Sequence, residues 1–415
     1  MTSTTEAPAP QPEEIRALTG LRILAALWVV VFHFSFTPGL ATEWFWRPFM
    51  PEIARGDLGV DLFYVLSGFV ITLTYLTKLG PRPTGRLAVG FWWARICRIW
   101  PVYATVTTLF GGWLLFKAAH SAPGTMIAYQ TVQPVVDIWH YLEQLAMVQL
   151  WHRPYLDGSS WVGPAWSISA EWLAYVCFPA LALLLWRVRR AHPAVTGVLA
   201  VATMVPFAWL CWTTGNPYHA WSWLLRIGFG FTSGALTYLT VSRIRRTARL
   251  EWIAAVVATV CIAGAVAVLW ATSHRLPAGE YGGIVVVLFP VVVGSLALSS
   301  KGPSRVLASR PMVHGGRISY SLYLIHVPVF EILWTSMLHF PGIGPGSSWY
   351  RAVVPAAFVV ALLAAHLSYT LLEEPARMAL RSRGPGRWAR RQRAAARVVI
   401  AEGPGDTMPA PAGDG

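Results

Sequence analysis

The chain has 415 residues, of which 55% are hydrophobic and only 13% charged, with a mean hydropathy of +0.49 and a formal net charge of +14. Those proportions exclude a string of soluble domains and put most of the chain inside a bilayer. The positive balance does not point to nucleic acid, because Lys and Arg fall in short clusters between apolar runs and build no folded basic domain.

Residues 1–17 are polar and Pro-rich and are expected to be a disordered cytoplasmic tail. They lack the basic cluster of a cleavable signal peptide, so the first apolar run reads as a retained anchor. About ten apolar segments of bilayer length follow, at roughly 21–37, 58–77, 99–117, 166–186, 194–213, 221–241, 251–271, 281–299, 317–338 and 351–373. The predicted fold is all-α, a polytopic integral membrane bundle of about ten transmembrane helices over residues 18–377. The stretch 135–151 is amphipathic and carries Asp137, His140 and Glu143, which predicts a surface or re-entrant position. Residues 378–415 are basic and then Gly/Pro/Ala-rich, and are expected to form a second disordered cytoplasmic tail with no appended catalytic domain.

Most of the 33 basic residues lie in alternate connections, such as Arg187 to Arg190, Arg243 to Arg249 and the eight arginines from Arg377 to Arg397. Lys and Arg stay on the cytoplasmic side, so both termini are expected inside, in a bacterial cytoplasmic membrane if the Ala, Arg, Pro and Gly richness reflects the source. Cys97, Cys177, Cys211 and Cys261 are far apart and show no metal-ligand spacing, so neither a disulfide framework nor a metal site is expected.

Within the first helix stand two residues that a bilayer should exclude, Arg22 and His33. Eleven residues advance a helix by about 1100°, so both side chains share one stripe, roughly 16 Å apart along the axis. Intramembrane ionisable groups mark function or pair with one another. On the remaining helices Asp61 and Ser67 fall in GVDLFYVLSGF, Glu171 and Tyr175 share a face at i,i+4, and Ser319, Tyr323 and His326 form one stripe ahead of Pro328, which is expected to bend or break that helix. Arg95 and Arg98 share a face at i,i+3 and suit either cytoplasmic anchoring or a phosphate clamp. A deep base, a deep acid and several hydroxyls are therefore expected to meet in one cavity with a basic rim.

Arg22 with His33, GVDLFYVLSGF, Arg95 with Arg98, Trp166 with Glu171 and Tyr175, SYSLYLIHVP at 319–328 and LLEEPAR at 371–377 together resemble, in order, the blocks of the membrane-bound acyltransferase family 3. The resemblance spans residues 18 to 377. It implies an integral enzyme that moves an acyl group, here expected to be short, from acyl-CoA to a hydroxyl-bearing acceptor, a carbohydrate or a macrolide-like natural product. No tightly bound cofactor is expected. His33 is the expected general base, with Glu171 or Asp61 orienting it, and Arg22, Arg95 and Arg98 as phosphate contacts. Trp166, Tyr175, Ser319, Tyr323 and His326 are expected to line the substrate site. The competing readings are a transporter or flippase of a glycan or acylated product, and a non-catalytic receptor; the absence of paired broken helices speaks against transport.

Overall fold

A computed structural model describes residues 15–40, 43, 46–120, 127, 132–275 and 280–384. Among these residues no strand occurs, and nine helical spans are long and apolar enough to cross a membrane. The spans are α1 (Arg16–Phe34), α2 (Leu58–Leu79) and the 36-residue α3 (Gly85–His120). After the short α4 (Ile138–Leu145) comes α5 (Trp166–Val188), followed by α6 (Pro193–Ala202) and α7 (Val205–Thr214), which make one broken span. The second half contains α8 (Ser222–Val241), α9 (Ala248–Arg275), α10 (Phe289–Leu298) entered through a 3-10 stretch, α11 (Arg310–His339), α12 (Tyr350–Ser368) and α13 (Glu374–Arg383).

Helix α8 corresponds to the segment 221–241 and stands outside the nine strongly apolar spans. Arg226 and its Gly, Ser and Thr residues dilute its hydropathy, and the reason is positional: α8 lies against α2, α6, α5 and α10, so its polar groups meet protein and not lipid. Contact between α2 and α8 is backbone to backbone. A Cβ on Gly68 would fall 1.9 Å from the Phe231 carbonyl oxygen, and one on Gly234 would fall 1.9 Å from that of Val65. Only glycine permits this approach. By contrast, α9 leaves Trp252, Val256 and Val260 exposed, as a lipid-facing helix must.

Pro328 does not break its helix, since α11 runs through it to His339, packed against α1 and α12. Of the two expected tails, Arg16 and Ala17 belong to α1 and residues 378–383 belong to α13, while residues 1–14 and 385–415 lie outside the described residues. Segment 135–151 contains the eight-residue α4, too short to span, as a surface or re-entrant stretch would be, with the Asp137 side chain capping its N-terminus by accepting from the His140 amide at 2.8 Å.

The basic connections gather at one end of the bundle. Arg243 donates to the Arg189 carbonyl, Arg246 to that of Ala297 and Arg16 to that of Ala308. The opposite end carries the buried pairs Arg55 with Asp57 and Lys117 with Glu331, and Arg55 also meets the partly exposed Glu280.

Candidate active site

Three adjoining cavities lie in sequence from the basic end to His33. The outermost, about 490 Å³, is walled by Arg22, Arg95, Arg98, Arg377 and Arg381. Arg22, Arg95 and Arg98 also border the next cavity, about 100 Å³, which contains Ser67, Glu171, Tyr175, Ser319 and Tyr323. Val60 and Tyr323 divide that cavity from a third, about 300 Å³, lined by His33, Asp57, Trp166 and Trp334. The stripe predicted on α1 thus places Arg22 at the first two cavities and His33 at the last.

The arginine rim is fixed by both aromatic and acidic neighbours. Arg95 sits over the rings of Tyr75 and Tyr175, at 5.5 and 5.7 Å from their centroids. Arg98 is ion-paired with Glu373, which is 1% exposed and also accepts from Ser321 Oγ at 2.7 Å. The buried Nε atoms of Arg22 and Arg95 have no hydrogen-bond partner among the described residues, which leaves donors for an anion at this rim.

Glu171 belongs to this basic half. It accepts from Ser67 Oγ at 2.6 Å and from Tyr175 Oη at 2.5 Å, and Ser67 and Tyr175 are 3.0 Å apart. The i,i+4 spacing on α5 brings Glu171 and Tyr175 together, and α2 supplies the serine. Neither Glu171 nor Asp61 touches His33. Asp61 is fully buried and gripped by Arg226, Nε to Oδ1 at 3.0 Å and Nη2 to Oδ2 at 2.7 Å. A carboxylate held by two guanidinium bonds in the α2–α8 contact does structural work, which corrects its expected role as the orienting acid.

The partner of His33 is His326. His326 Nδ1 lies 3.0 Å from the Leu322 carbonyl oxygen, an acceptor only, so this nitrogen carries the proton and Nε2 the lone pair. That Nε2 faces His33 Nδ1 at 3.2 Å, and His33 Nδ1 is also 2.9 Å from the Val29 carbonyl oxygen. Two acceptors around one nitrogen require it to donate. Assigned from this network, the lone pair of neutral His33 is on Nε2, the tautomer a general base needs.

The remaining predicted substrate contacts divide between the cavities. Tyr323 Oη meets Ser167 Oγ at 2.6 Å and the Pro164 carbonyl at 2.9 Å, which pins the partition. Ser319 Oγ donates to the Gly316 carbonyl at 2.9 Å, Trp166 borders the His33 cavity, and Tyr175 borders the middle one. Sequence reasoning passed over Arg226 and Glu373. A lone arginine inside the apolar run 221–241 was the signal for the first, and the acidic pair in LLEEPAR for the second.

Beside the His33 cavity, Tyr218 donates to Asp57 Oδ2 at 3.0 Å. Burial, and then the Asp57 charge, hold its hydroxyl well above the usual tyrosine range, so it stays a donor. Burial likewise raises Glu280 against the opposing pull of Arg55.

Fold and site together define a multi-pass membrane protein with a basic rim at one end of a row of cavities and a part-buried histidine at the other. The chain belongs to acyltransferase family 3, whose model, described as an acyltransferase domain, matches residues 15–366. It is similar to the acyltransferase MdmB of Streptomyces mycarofaciens, with 26% identity over 91% of this chain and 95% of that protein. It is also similar to the putative peptidoglycan O-acetyltransferase YrhL of Bacillus subtilis, 24% identical over 88% of this chain and 55% of the relative, and to the peptidoglycan O-acetyltransferase OatA of Listeria monocytogenes, 23% identical over 88% and 56%. The chain therefore spans little more than half the length of these two relatives. No solved structure matches.

Proposed function

We propose that this protein is a membrane O-acyltransferase that takes a short acyl group from acyl-CoA, entering from the cytoplasm at the arginine rim, and passes it to a hydroxyl of a carbohydrate or macrolide-like acceptor held beside His33. The carrying observation is the run of adjoining cavities, whose two ends are lined by a basic rim and by His33. Arg22, Arg95 and Arg98 suit the phosphates of the nucleotide, and a narrow middle cavity suits a thin pantetheine arm.

In the reaction His33 Nε2 removes the proton of the acceptor hydroxyl as its oxygen attacks the thioester carbon. The tetrahedral intermediate expels the CoA thiolate, and the imidazolium returns its proton to the sulfur. While charged, His33 donates from Nδ1 to His326 and Val29, which supports the cation without a carboxylate. The relatives named as O-acetyltransferases favour oxygen as the nucleophile of the acceptor.

The test is acceptor-stimulated CoA release by detergent-purified protein. His33→Ala is expected to abolish it with the melting temperature retained, and Arg95→Ala to raise the apparent KM for acyl-CoA. Undiminished turnover in His33→Ala would remove the assignment. A transporter would consume no acyl-CoA at all.

A further inference from the structure

The wall of the His33 cavity holds an acceptor that the protein leaves unsatisfied. Among the described residues Asp57 and Asp61 are buried with Arg55 and Arg226 in one connected network, to which the 40% exposed side chain of Glu280 adds a third carboxylate. Among the described residues all contacts go to one oxygen of Asp57: Oδ2 is 3.2 Å from Arg55, 3.0 Å from Tyr218 and 3.6 Å from Arg226. Oδ1 has no hydrogen-bond partner among them, although Asp57 is 7% exposed and lines the cavity. A buried acceptor without a donor is costly, and a ligand that donates to it removes that cost.

The rest of the lining agrees with a cationic ligand. Asp157 adds a second carboxylate, and no Lys or Arg is among the described lining residues. Trp166, Trp334, Tyr218, Phe32 and Phe36 supply aromatic surface, and acid combined with aromatic rings recognises ammonium groups. A hydroxyl would satisfy Oδ1 alone, whereas an ammonium group would also answer the negative charge of Asp57 and Asp157 in a lining without a cation.

We propose that the acceptor carries a protonated amine, as an amino sugar does, and that Asp57 is its anionic contact while a separate hydroxyl of the same molecule meets His33. This rests on the reading of the cavity as an acceptor site, but its test needs no acyl donor, so it stands or falls separately from acyl transfer. Binding of methyl β-glucosaminide and of its uncharged N-acetyl counterpart to the full-length protein in detergent is compared by calorimetry at neutral pH.

The amine is expected to bind at least about tenfold more tightly, the equivalent of roughly 1.4 kcal/mol. That preference should disappear in Asp57→Asn and shrink in Asp157→Asn, an exposed position that keeps the fold intact should Asp57→Asn prove unstable. Equal affinity for the two sugars, no binding of either, or a preference unchanged in both variants would overturn the proposal.

Discussion

Nε2 of His326 stands 3.2 Å from Nδ1 of His33, across the contact between α11 and α1, and the Leu322 carbonyl behind His326 gives the pair one direction of proton donation. His326 is fully buried, so it acts on the reaction through its neighbour and sets the tautomer. His326→Phe should lower kcat for acyl transfer by about 10²-fold or more, in the range lost when a catalytic imidazole has the wrong tautomer. His326→Gln can place an amide oxygen near the lost Nε2 and should recover part of the rate. Equal losses in both variants, each folded by its melting curve, would assign His326 to packing alone.

Arg98 has two roles that a single substitution would confuse. Arg98→Ala leaves the buried Glu373 carboxylate unpaired, which should cost about 3 to 5 kcal/mol and lower the melting temperature. Adding Glu373→Gln removes the stranded charge and should restore much of the stability. The apparent KM for acyl-CoA should stay raised in the double variant. A KM that recovers together with the melting temperature would remove Arg98 from the donor site.

Asp61→Asn should behave as a stability variant. Arg226, 1% exposed, would lose the nearer of its two carboxylate partners and keep only Asp57 at 3.6 Å, at a cost of about 3 to 5 kcal/mol. Protein that does fold should keep the wild-type pH profile of transfer. A shifted profile would return Asp61 to the proton-transfer machinery.

Gly234→Ala tests the α2–α8 contact without touching any polar group. Its Cβ would overlap the Val65 carbonyl, so the helices must separate, at about 1 to 3 kcal/mol or more. Thermal unfolding in detergent reads the loss directly, and an unchanged melting temperature would show that the two backbones are less closely apposed.

What the sequence revealed and what it hid follow from range. The common stripe of Arg22 and His33, the pairing of Glu171 with Tyr175 and the existence of each helix depend on neighbours within a few turns, where helical periodicity decides the geometry. The partners of His33, Asp61 and Arg98 are 293, 165 and 275 residues away. Local periodicity carries nothing about which helix stands beside which, so an acid was expected next to His33 where the fold supplies a second imidazole. That Pro328 does not break its helix was hidden for the same reason, since the helices packed against α11 are the distant α1 and α12.

The central claim is that one passage joins the arginine rim to His33. It is tested most directly by the structure of the full-length protein bound to a non-hydrolysable thioether analogue of acetyl-CoA. The account predicts phosphates against Arg22, Arg95 and Arg98 and the acyl carbon beyond Tyr323, within reach of a hydroxyl held by His33 Nε2. An analogue whose acyl end lies outside the His33 cavity, or whose phosphates avoid all three arginines, would contradict it.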